Sequence, residues 1–317
     1  MRDCLNLKRP SKRRTPFRPV VCSYNLHGPI LCCNEPKERV SQKKCNEYKK
    51  LVEVGNRVII DRDFDVLSVA GGFETEISEF PHMAAIGFKL SDESIQWKCG
   101  ATLISDEFVM TAAHCINFGD NELDFIRISD HNLYESSDDT NVQERTVAEI
   151  FTHPLYKPTS TYHDIALIRL NEKVELNNVT RPACLCVIDP ETDSSVIATG
   201  WGLTAYGGSP SEELLKVELL IYDQEKCVEY YGKGRKFRRG IIQEQLCAGD
   251  PTGEQDTCEG DSGGAIQLKR VENGGTIYHV VGITSFGKAC GIVENPSVYT
   301  RVSKYVDWIE SIVWPTG

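Results

Sequence analysis

Short hydrophobic runs separated by Gly, Pro and Asp recur along this chain from residue 69 to its end. Their spacing is typical of β-strands joined by turns, and helices of the length that parallel crossovers need are not indicated. The pattern predicts an all-β protein, built as a sandwich or as a pair of barrels. Strands are expected at 83–90, 107–110, 165–170, 196–199, 214–222, 279–283 and 298–302.

Only the C-terminal segment has the spacing of an amphipathic helix. Its apolar residues share one helical face: Val302, Tyr305, Val306, Ile309 and Val313. No apolar run approaches the roughly 20 residues that cross a bilayer. The sequence therefore predicts one C-terminal helix packed on a β core, and no membrane span.

Composition divides the chain into three regions. Residues 1–33 hold four cysteines among Pro and basic residues, which predicts a small disulfide-rich module. Residues 34–68 are charged and show little apolar periodicity, which predicts a linker. Residues 69–317 form the β-rich body.

Charge is distributed unevenly between these regions. Of the 35 Lys and Arg residues, 14 lie in residues 1–57 beside 5 acidic residues, and the remainder carries 21 basic against 41 acidic. A nucleic-acid-binding protein concentrates positive charge on its folded domain. An acidic body therefore argues against a nucleic-acid partner.

The chain has 13 cysteines but neither the Cys-x-x-Cys nor the His-x-x-x-His spacing that is typical of metal sites. They predict disulfides formed in an oxidising compartment, and hence a secreted protein without a metal or other cofactor. The start, Met1-Arg2-Asp3-Cys4, has no apolar signal region. Either the protein is not secreted or its true N-terminus lies upstream, and the cysteines favour the second explanation.

Candidate chemistry begins at Gly260-Asp261-Ser262-Gly263-Gly264. A serine hydroxyl becomes a nucleophile when a base removes its proton, and flanking glycines let backbone N–H groups approach a substrate carbonyl. His114, in Thr111-Ala112-Ala113-His114-Cys115, offers the base. Asp164 precedes an apolar strand, where a buried carboxylate needs a partner such as that histidine.

Taken together, the segments 111–115, 164–170, 199–202, 260–264 and 285–287 resemble those of the trypsin/chymotrypsin family. The resemblance extends from Val69 to the C-terminus. It implies two six-stranded antiparallel β-barrels with the active site between them. It also implies Ser262 as nucleophile, His114 as general acid/base, Asp164 as the group that orients it, and the N–H groups of Gly260 and Ser262 as oxyanion hole.

The resemblance further implies a specificity pocket with Asp256 at its base, and therefore cleavage after Arg or Lys. Ser285, Gly287 and Ser297 belong to the same substrate-binding region. Ser297 departs from the trypsin pattern, which has glycine there. Its hydroxymethyl group is expected to narrow the pocket, unless a small shift accommodates it.

Activation is implied by Val69-Ala70-Gly71-Gly72, which resembles the N-terminus that one cleavage creates in this family. The freed ammonium group of Val69 would pair with Asp261, so the intact chain is expected to be a zymogen. Cleavage would follow Ser68, whereas most relatives have Arg or Lys at that position. An elastase-like or subtilisin-like protease, from host or microbe, is therefore expected to make the cut.

The N-terminal cysteines resemble the second half of a clip domain, a module of arthropod extracellular proteases. Residues 1–33 are thus expected to be a truncated clip domain, in a chain similar to proteases of the snake and persephone type. The resemblance implies the disulfides Cys99–Cys115, Cys227–Cys247, Cys258–Cys290, Cys45–Cys184 and Cys4–Cys33. It leaves Cys22, Cys32 and Cys186, the last as a free thiol or an intermolecular partner.

Three weaker signals complete the sequence-based predictions. Asn178 begins an N-glycosylation motif. Asp130-His131-Asn132 with Glu135, Asp138 and Asp139 resembles a calcium loop, although a solvated acidic loop is the stronger alternative. Residues 233–239 form a basic run, expected to be either a solvated loop or an exosite for an acidic or heparin-like partner.

The resulting hypothesis is a secreted zymogen of a trypsin-like serine endopeptidase in an extracellular cascade, serving innate immunity (Toll signalling or melanisation) or developmental patterning. Its expected partners are an upstream activating protease, a downstream zymogen or cytokine precursor, and serpin-type inhibitors. The alternatives are a catalytically inactive homologue that acts as an adaptor, which the intact triad opposes, and a digestive trypsin, which the clip remnant and the Cys45 tether oppose.

Overall fold

The computed structural model describes residues 20–25, 28–32, 38–53, 72–117, 123–135, 141–204, 207–235, 237–252, 257, 260–272, 275–287 and 296–315, the first two ranges by their backbone. The chain divides into two units, residues 1–39 and 40–317. In the first unit, β1 (Val20–Asn25) and β2 (Gly28–Cys32) form an antiparallel hairpin. The predicted pair Cys4–Cys33 and the side chains of Cys22 and Cys32 lie outside the described residues.

The second unit contains a closed six-stranded antiparallel barrel. Its strands are β4 (Met83–Lys89), β5 (Ile95–Leu103), β6 (Phe108–Thr111), β7 (Leu123–Ile128), β8 (Gln143–Thr152) and β9 (Ala166–Leu170). They pair in the order β4-β5-β6-β9-β8-β7, and β7 returns to β4. The core of this barrel includes Ile86, Leu103, Met110 and Ile168, all fully buried.

A second barrel follows. It consists of β11 (Ser195–Gly200), β12 (Leu215–Ile221), β13 (Gln245–Gly249), β14 (Ala265–Glu272), β15 (Gly275–Phe286) and β16 (Ser297–Arg301). The ring closes because β16 pairs with both β13 and β15. Two short strands extend it: β10 (Cys184–Leu185) lies parallel to β15, and β3 (Phe73–Glu74) lies antiparallel to β12. The predicted pair of six-stranded barrels is confirmed.

Strand β12, in which apolar and polar residues alternate, could be predicted from the sequence, and strand β8, which lacks that alternation, could not. In β12, Val217, Leu219 and Ile221 are buried while Glu218 is exposed, as expected for a sheet with one face on a core. By contrast, β8 carries Gln143, Glu144 and Arg145 and buries none of its residues fully. It is held by ladders to β7 and β9 on either side, so its own sequence gives little signal.

The C-terminal helix was predicted, and two other helices were not. The helix α3 (Val306–Val313) follows a 3-10 turn, Val302–Lys304, and all five predicted face residues are buried. No helix in the described part of the chain is long and apolar enough to cross a membrane.

Within the segment 34–68, which was expected to be a linker, residues 40–53 are helical. These residues form helix α1 (Val40–Glu53), which belongs to the second unit. Ser41, Cys45 and Tyr48 recur at helical spacing and are buried. None of the three is Leu, Ile, Val or Phe, so the apolar periodicity of the sequence did not predict this helix. Helix α2 (Gln224–Tyr231) is capped by Asp223, whose carboxylate accepts from the Lys226 N–H at 2.6 Å.

Candidate active site

The three predicted catalytic residues come from different elements of the two barrels: two of them line one cavity, and Asp164 contacts His114. His114 lies in a 3-10 turn, Ala113–Cys115, just after β6. Asp164 lies two residues before β9 begins, so both of these residues belong to the first barrel. Ser262 precedes β14 of the second barrel. His114 and Ser262 line the same cavity, of about 340 Å³.

Both carboxylate oxygens of Asp164 are held by His114. Its Oδ2 lies 2.8 Å from His114 Nδ1, and its Oδ1 accepts from the His114 backbone N–H at 2.9 Å. The Ser285 hydroxyl also donates to Oδ2. Asp164 is 3% exposed, and a buried carboxylate is stable only when donors surround it. These three donors fix its position.

The backbone of Asp164 is fixed as well. Thr300 donates its hydroxyl to the Asp164 carbonyl oxygen at 2.8 Å. The preceding residue, His163, has φ +55°, in the left-handed region that a non-glycine residue adopts only when its surroundings hold it there. Its Nδ1 lies 3.0 Å from the hydroxyl of the buried Tyr305. The loop that presents Asp164 is therefore rigidly anchored.

This geometry determines which nitrogen of His114 can act as a base. A carboxylate accepts hydrogen bonds, so Nδ1 carries the proton and Nε2 is left as the acceptor. The charge of Asp164 also acts on its neighbours. Burial first, and then Asp164, raises the pKa of Tyr156 to about 12, and the same causes together with Glu244 raise that of Tyr305. Both phenols thus stay neutral beside the carboxylate.

The Ser262 loop is shaped by two glycines in the left-handed region. Gly260 has φ +102° and Gly263 has φ +79°. A Cβ at Gly263 would lie 2.1 Å from Thr111 Oγ1, so no side chain fits there. The Ser262 carbonyl accepts from the Gly100 N–H at 2.9 Å, and the Gly263 N–H donates to the Thr284 carbonyl at 2.9 Å. The loop is thereby attached to both barrels.

The predicted specificity residues are described in part. Asp256 lies outside the described residues. Gly287 and Ser297 face each other, because a Cβ at position 287 would lie 2.9 Å from Ser297 Oγ. The Ser285 hydroxyl is engaged by Asp164, and its predicted part in substrate binding stays a prediction. The sequence pointed to Ser285 but did not predict that its hydroxyl donates to Asp164. It also did not predict the hydrogen bond from the Thr300 hydroxyl to the Asp164 carbonyl oxygen.

Asp261 faces away from the cavity that holds Ser262. Its Oδ1 accepts from the Gly202 N–H at 2.9 Å, and a Cβ at Gly202 would lie 2.6 Å from that oxygen. Asp261 lines a small cavity together with Gly72, Leu215 and Thr257. Ser68 and Val69 lie outside the described residues, and Gly72 is the third residue after Val69.

The structure contains three of the disulfides that the sequence predicts: Cys45–Cys184, Cys99–Cys115 and Cys227–Cys247. Cys258 and Cys290 lie outside the described residues. Cys186 is a free, buried thiol that donates to the Ile188 carbonyl at 2.9 Å, and burial raises its pKa. Its burial fits a free thiol and not an intermolecular bond.

The weaker predictions fall on residues with other contacts. Asn178 is exposed, while Thr180 of the same motif is buried. In the expected calcium loop, Asp130 pairs with Arg127 at 2.5 Å, and Asn132 Oδ1 accepts from the Tyr134 and Glu135 N–H groups at 3.0 Å each. Asp138 and Asp139 lie outside the described residues. Calcium binding and glycosylation stay predictions.

Two groups of side chains in the described part of the chain have the closeness of metal ligands. They are Cys45, Cys184 and His279, and Cys99, His114 and Cys115. In each group the two cysteines form a disulfide, so their sulfurs are not thiolate ligands.

Comparison with known proteins agrees with this geometry. The family profile described as Trypsin matches residues 69–309. Serine protease snk of Drosophila melanogaster is 37% identical over 310 residues, covering 93% of this chain and 71% of snk. Proclotting enzyme of Tachypleus tridentatus is 34% identical over 312 residues, covering 92% of this chain and 81% of that protein.

Among solved structures, neuropsin, a serine protease expressed in the limbic system of mouse brain, superposes with a TM-score of 0.64 at 32% identity. The match covers 76% of this chain and 98% of neuropsin. The chain therefore belongs to the trypsin family of serine endopeptidases, as a protease of the arthropod clip-domain type.

Proposed function

We propose that this chain is the zymogen of an endopeptidase that hydrolyses proteins after Arg or Lys, with Ser262, His114 and Asp164 as its catalytic residues. The observation that carries the proposal is the double contact between Asp164 and His114. It leaves His114 Nε2 as the acceptor in the cavity that Ser262 also lines.

In the proposed reaction, His114 Nε2 takes the proton of Ser262 Oγ as that oxygen attacks the scissile carbonyl carbon. Asp164 stabilises the imidazolium that forms and does not itself take up the proton. The N–H groups of Gly260 and Ser262 donate to the oxyanion, and each such donor contributes about 3 kcal/mol to transition-state stabilisation. His114 then protonates the leaving amine, and water repeats the sequence to release the acid.

Substrate selection is assigned to Asp256, whose carboxylate would pair with the cationic side chain before the scissile bond. Ser297 stands against Gly287, where it reduces the width of the same pocket. The enzyme is thus proposed to accept Arg and Lys with lower efficiency than an enzyme that has glycine at position 297.

The proposed setting is an extracellular cascade. Relatives of this chain include a protein called proclotting enzyme, and three disulfides support secretion. The proposed partners are an upstream protease that cuts after Ser68, a downstream protein precursor and a serpin-type inhibitor.

A fluorophosphonate probe tests the catalytic assignment. The activated protein should be labelled, and Ser262→Ala should lose both label and peptidase activity while keeping the folded state by circular dichroism. Asp164→Asn should lower kcat about 10⁴-fold, because the amide no longer holds the tautomer of His114. A labelled Ser262→Ala variant would disprove the assignment, and an unlabelled wild type would instead favour the inactive adaptor.

A further inference from the structure

Residues 233–235 and 237–239, here called the basic loop, follow helix α2. Lys233, Arg235, Arg238 and Arg239 are exposed, and within the described residues none of the four forms an ion pair. Other lysine side chains form salt bridges, among them Lys49 with Glu272 and Lys216 with Glu79. Unpaired cations clustered in one loop are available for an anionic partner.

The basic loop is attached to the segment that carries Asp164. The Arg239 N–H donates to the Tyr162 hydroxyl at 2.8 Å, and that hydroxyl donates to the Gly240 carbonyl at 2.9 Å. The Arg239 guanidinium lies 4.5 Å from the centre of the Tyr162 ring. Tyr162 is two residues before Asp164, at most about 7 Å along the chain. This end of the basic loop is therefore attached to the segment that carries Asp164.

A second attachment joins the basic loop to the end of β15, beside the predicted substrate-binding residues Ser285 and Gly287. The Phe237 ring stacks on that of Phe286, with centroids 5.7 Å apart and planes at 18°. Phe286 lies between Ser285, which donates to Asp164, and Gly287, which faces Ser297. The tight turn of the loop requires Gly234, because a Cβ there would lie 2.5 Å from the Phe237 ring.

The surrounding charge makes this surface selective. Residues from 58 onward carry 21 basic and 41 acidic side chains, so most of the body repels a polyanion. Helix α2, next to the loop, adds Glu225 and Glu229 beside Lys226. A local positive surface on a negative body steers an anionic segment to one place and raises its rate of association.

We propose that the basic loop docks an acidic segment of the polypeptide substrate, on the side that precedes the scissile bond. That side follows from Phe286, which places the loop beside the pocket proposed for the residue before the bond. The inference rests on the proposed function. It adds a substrate class: proteins with Asp or Glu a few residues before the cleaved Arg or Lys.

The test compares two peptides with the same Arg at the scissile bond, one with Glu-Asp-Glu and one with Gln-Asn-Gln at the third to fifth positions before it. The activated wild type should cleave the acidic peptide with about fivefold higher kcat/KM at low salt, the scale of two or three exposed ion pairs. The preference should vanish at 0.5 M salt, roughly a 4 Å screening length. R235E/R238E should reverse it and leave cleavage of the neutral peptide unchanged.

The matched control is K43E/K50E, which makes the same change of charge on the exposed side of helix α1. It should retain the preference. Equal loss in the control would show a general charge effect, and equal cleavage of both peptides by the wild type would overturn the proposal. A loop that binds heparin without any peptide preference would also overturn it.

Binding of the fluorescently labelled acidic peptide to full-chain Ser262→Ala, measured by fluorescence anisotropy, tests the docking proposal without requiring catalysis. It therefore separates this proposal from the proposed peptidase function. Binding should weaken more than fivefold in Ser262→Ala with R235E/R238E, even if neither peptide is cleaved. Unchanged binding would refute docking, while failure to cleave either peptide would count against the proposed function alone.

Discussion

Glu310 holds the first turn of helix α1 through two hydrogen bonds to Ser41. Its Oε1 accepts from the Ser41 backbone N–H at 3.0 Å and from the Ser41 hydroxyl at 2.6 Å. The two residues lie in different helices, 269 positions apart in the sequence. A carboxylate at this place satisfies an N–H that the helix itself leaves unpaired, and it interacts favourably with the helix dipole. Together with Cys45–Cys184 and Lys49–Glu272, it fixes α1 to the protease.

The first prediction concerns this contact. Glu310→Ala should lower the free energy of unfolding by about 1–2 kcal/mol, because the N-terminal donors of α1 lose their acceptor. Urea unfolding measures the change. Glu47→Ala is the control: within the described residues Glu47 pairs with Lys44, on the exposed side of the same helix, and its loss should cost under about 0.5 kcal/mol. Equal effects of the two substitutions would show that the contact contributes nothing specific.

The second prediction concerns pocket width. Ser297→Gly should raise kcat/KM on Arg and Lys substrates by about an order of magnitude, because the hydroxymethyl group against Gly287 is removed. Gly287→Ala, the opposite change, should lower it, since the new Cβ would lie 2.9 Å from Ser297 Oγ. Profiling on a peptide library measures both variants. Unchanged or lower activity of Ser297→Gly would refute the narrowing.

The third prediction concerns activation. A cut after Ser68 should switch the enzyme on, because the new ammonium group of Val69 can reach the cavity that Gly72 and Asp261 line. Elastase-like or subtilisin-like proteases should make this cut, and trypsin should not make it cleanly. Asp261→Asn should remain nearly inactive after the same cut.

Amino-terminal sequencing of the active form, beside activity after each protease, measures this outcome. Full activity after a cut at Arg57 or Arg62, with residues upstream of Val69 still attached, would contradict both the position of the cut and the mechanism.

The fourth prediction concerns acid stability. Burial lowers the pKa of His82 to about 4, with a smaller contribution from Arg181, although the hydrogen bond to Gln267 opposes the shift. The folded state therefore holds His82 neutral, while the unfolded chain takes up a proton below its usual pKa of 6.5. The free energy of unfolding should be at its full value above that pH. It should fall by up to about 1.4 kcal/mol per pH unit between 6.5 and 4.

His279, whose pKa burial also lowers to about 4, adds a similar slope. Urea unfolding at pH 7.5, 6 and 5 measures the combined effect. His82→Gln should remove about half of the slope while keeping an amide donor for Gln267. Equal stability of the wild type at pH 7.5 and pH 5, or an unchanged slope in His82→Gln, would refute the assignment.

Much of this protein could be predicted from local sequence patterns. The strands with alternating or continuous apolar runs, such as β4 and β12, fall within one or two residues of their predicted bounds. The same holds for the residues that α3 buries. Periodicity succeeds there because each segment buries its own apolar face. His114, Asp164 and Ser262 could be found because each lies in a short segment that resembles the corresponding segment of the trypsin family.

Tertiary structure alone decided the features whose partners are distant in sequence. Helix α1 is fixed by hydrogen bonds to Glu310 and by the disulfide to Cys184. Strand β8 is held by backbone pairing with β7 and β9. The Ser285 hydroxyl contacts a carboxylate 121 residues away. Hydrogen bonds, disulfides and sheet ladders of this kind leave no periodic signal in the segments that they join. Local sequence patterns therefore determine the strands, the last helix and the candidate chemistry, while the fold decides which hydroxyl holds Asp164 and which loop is attached beside it.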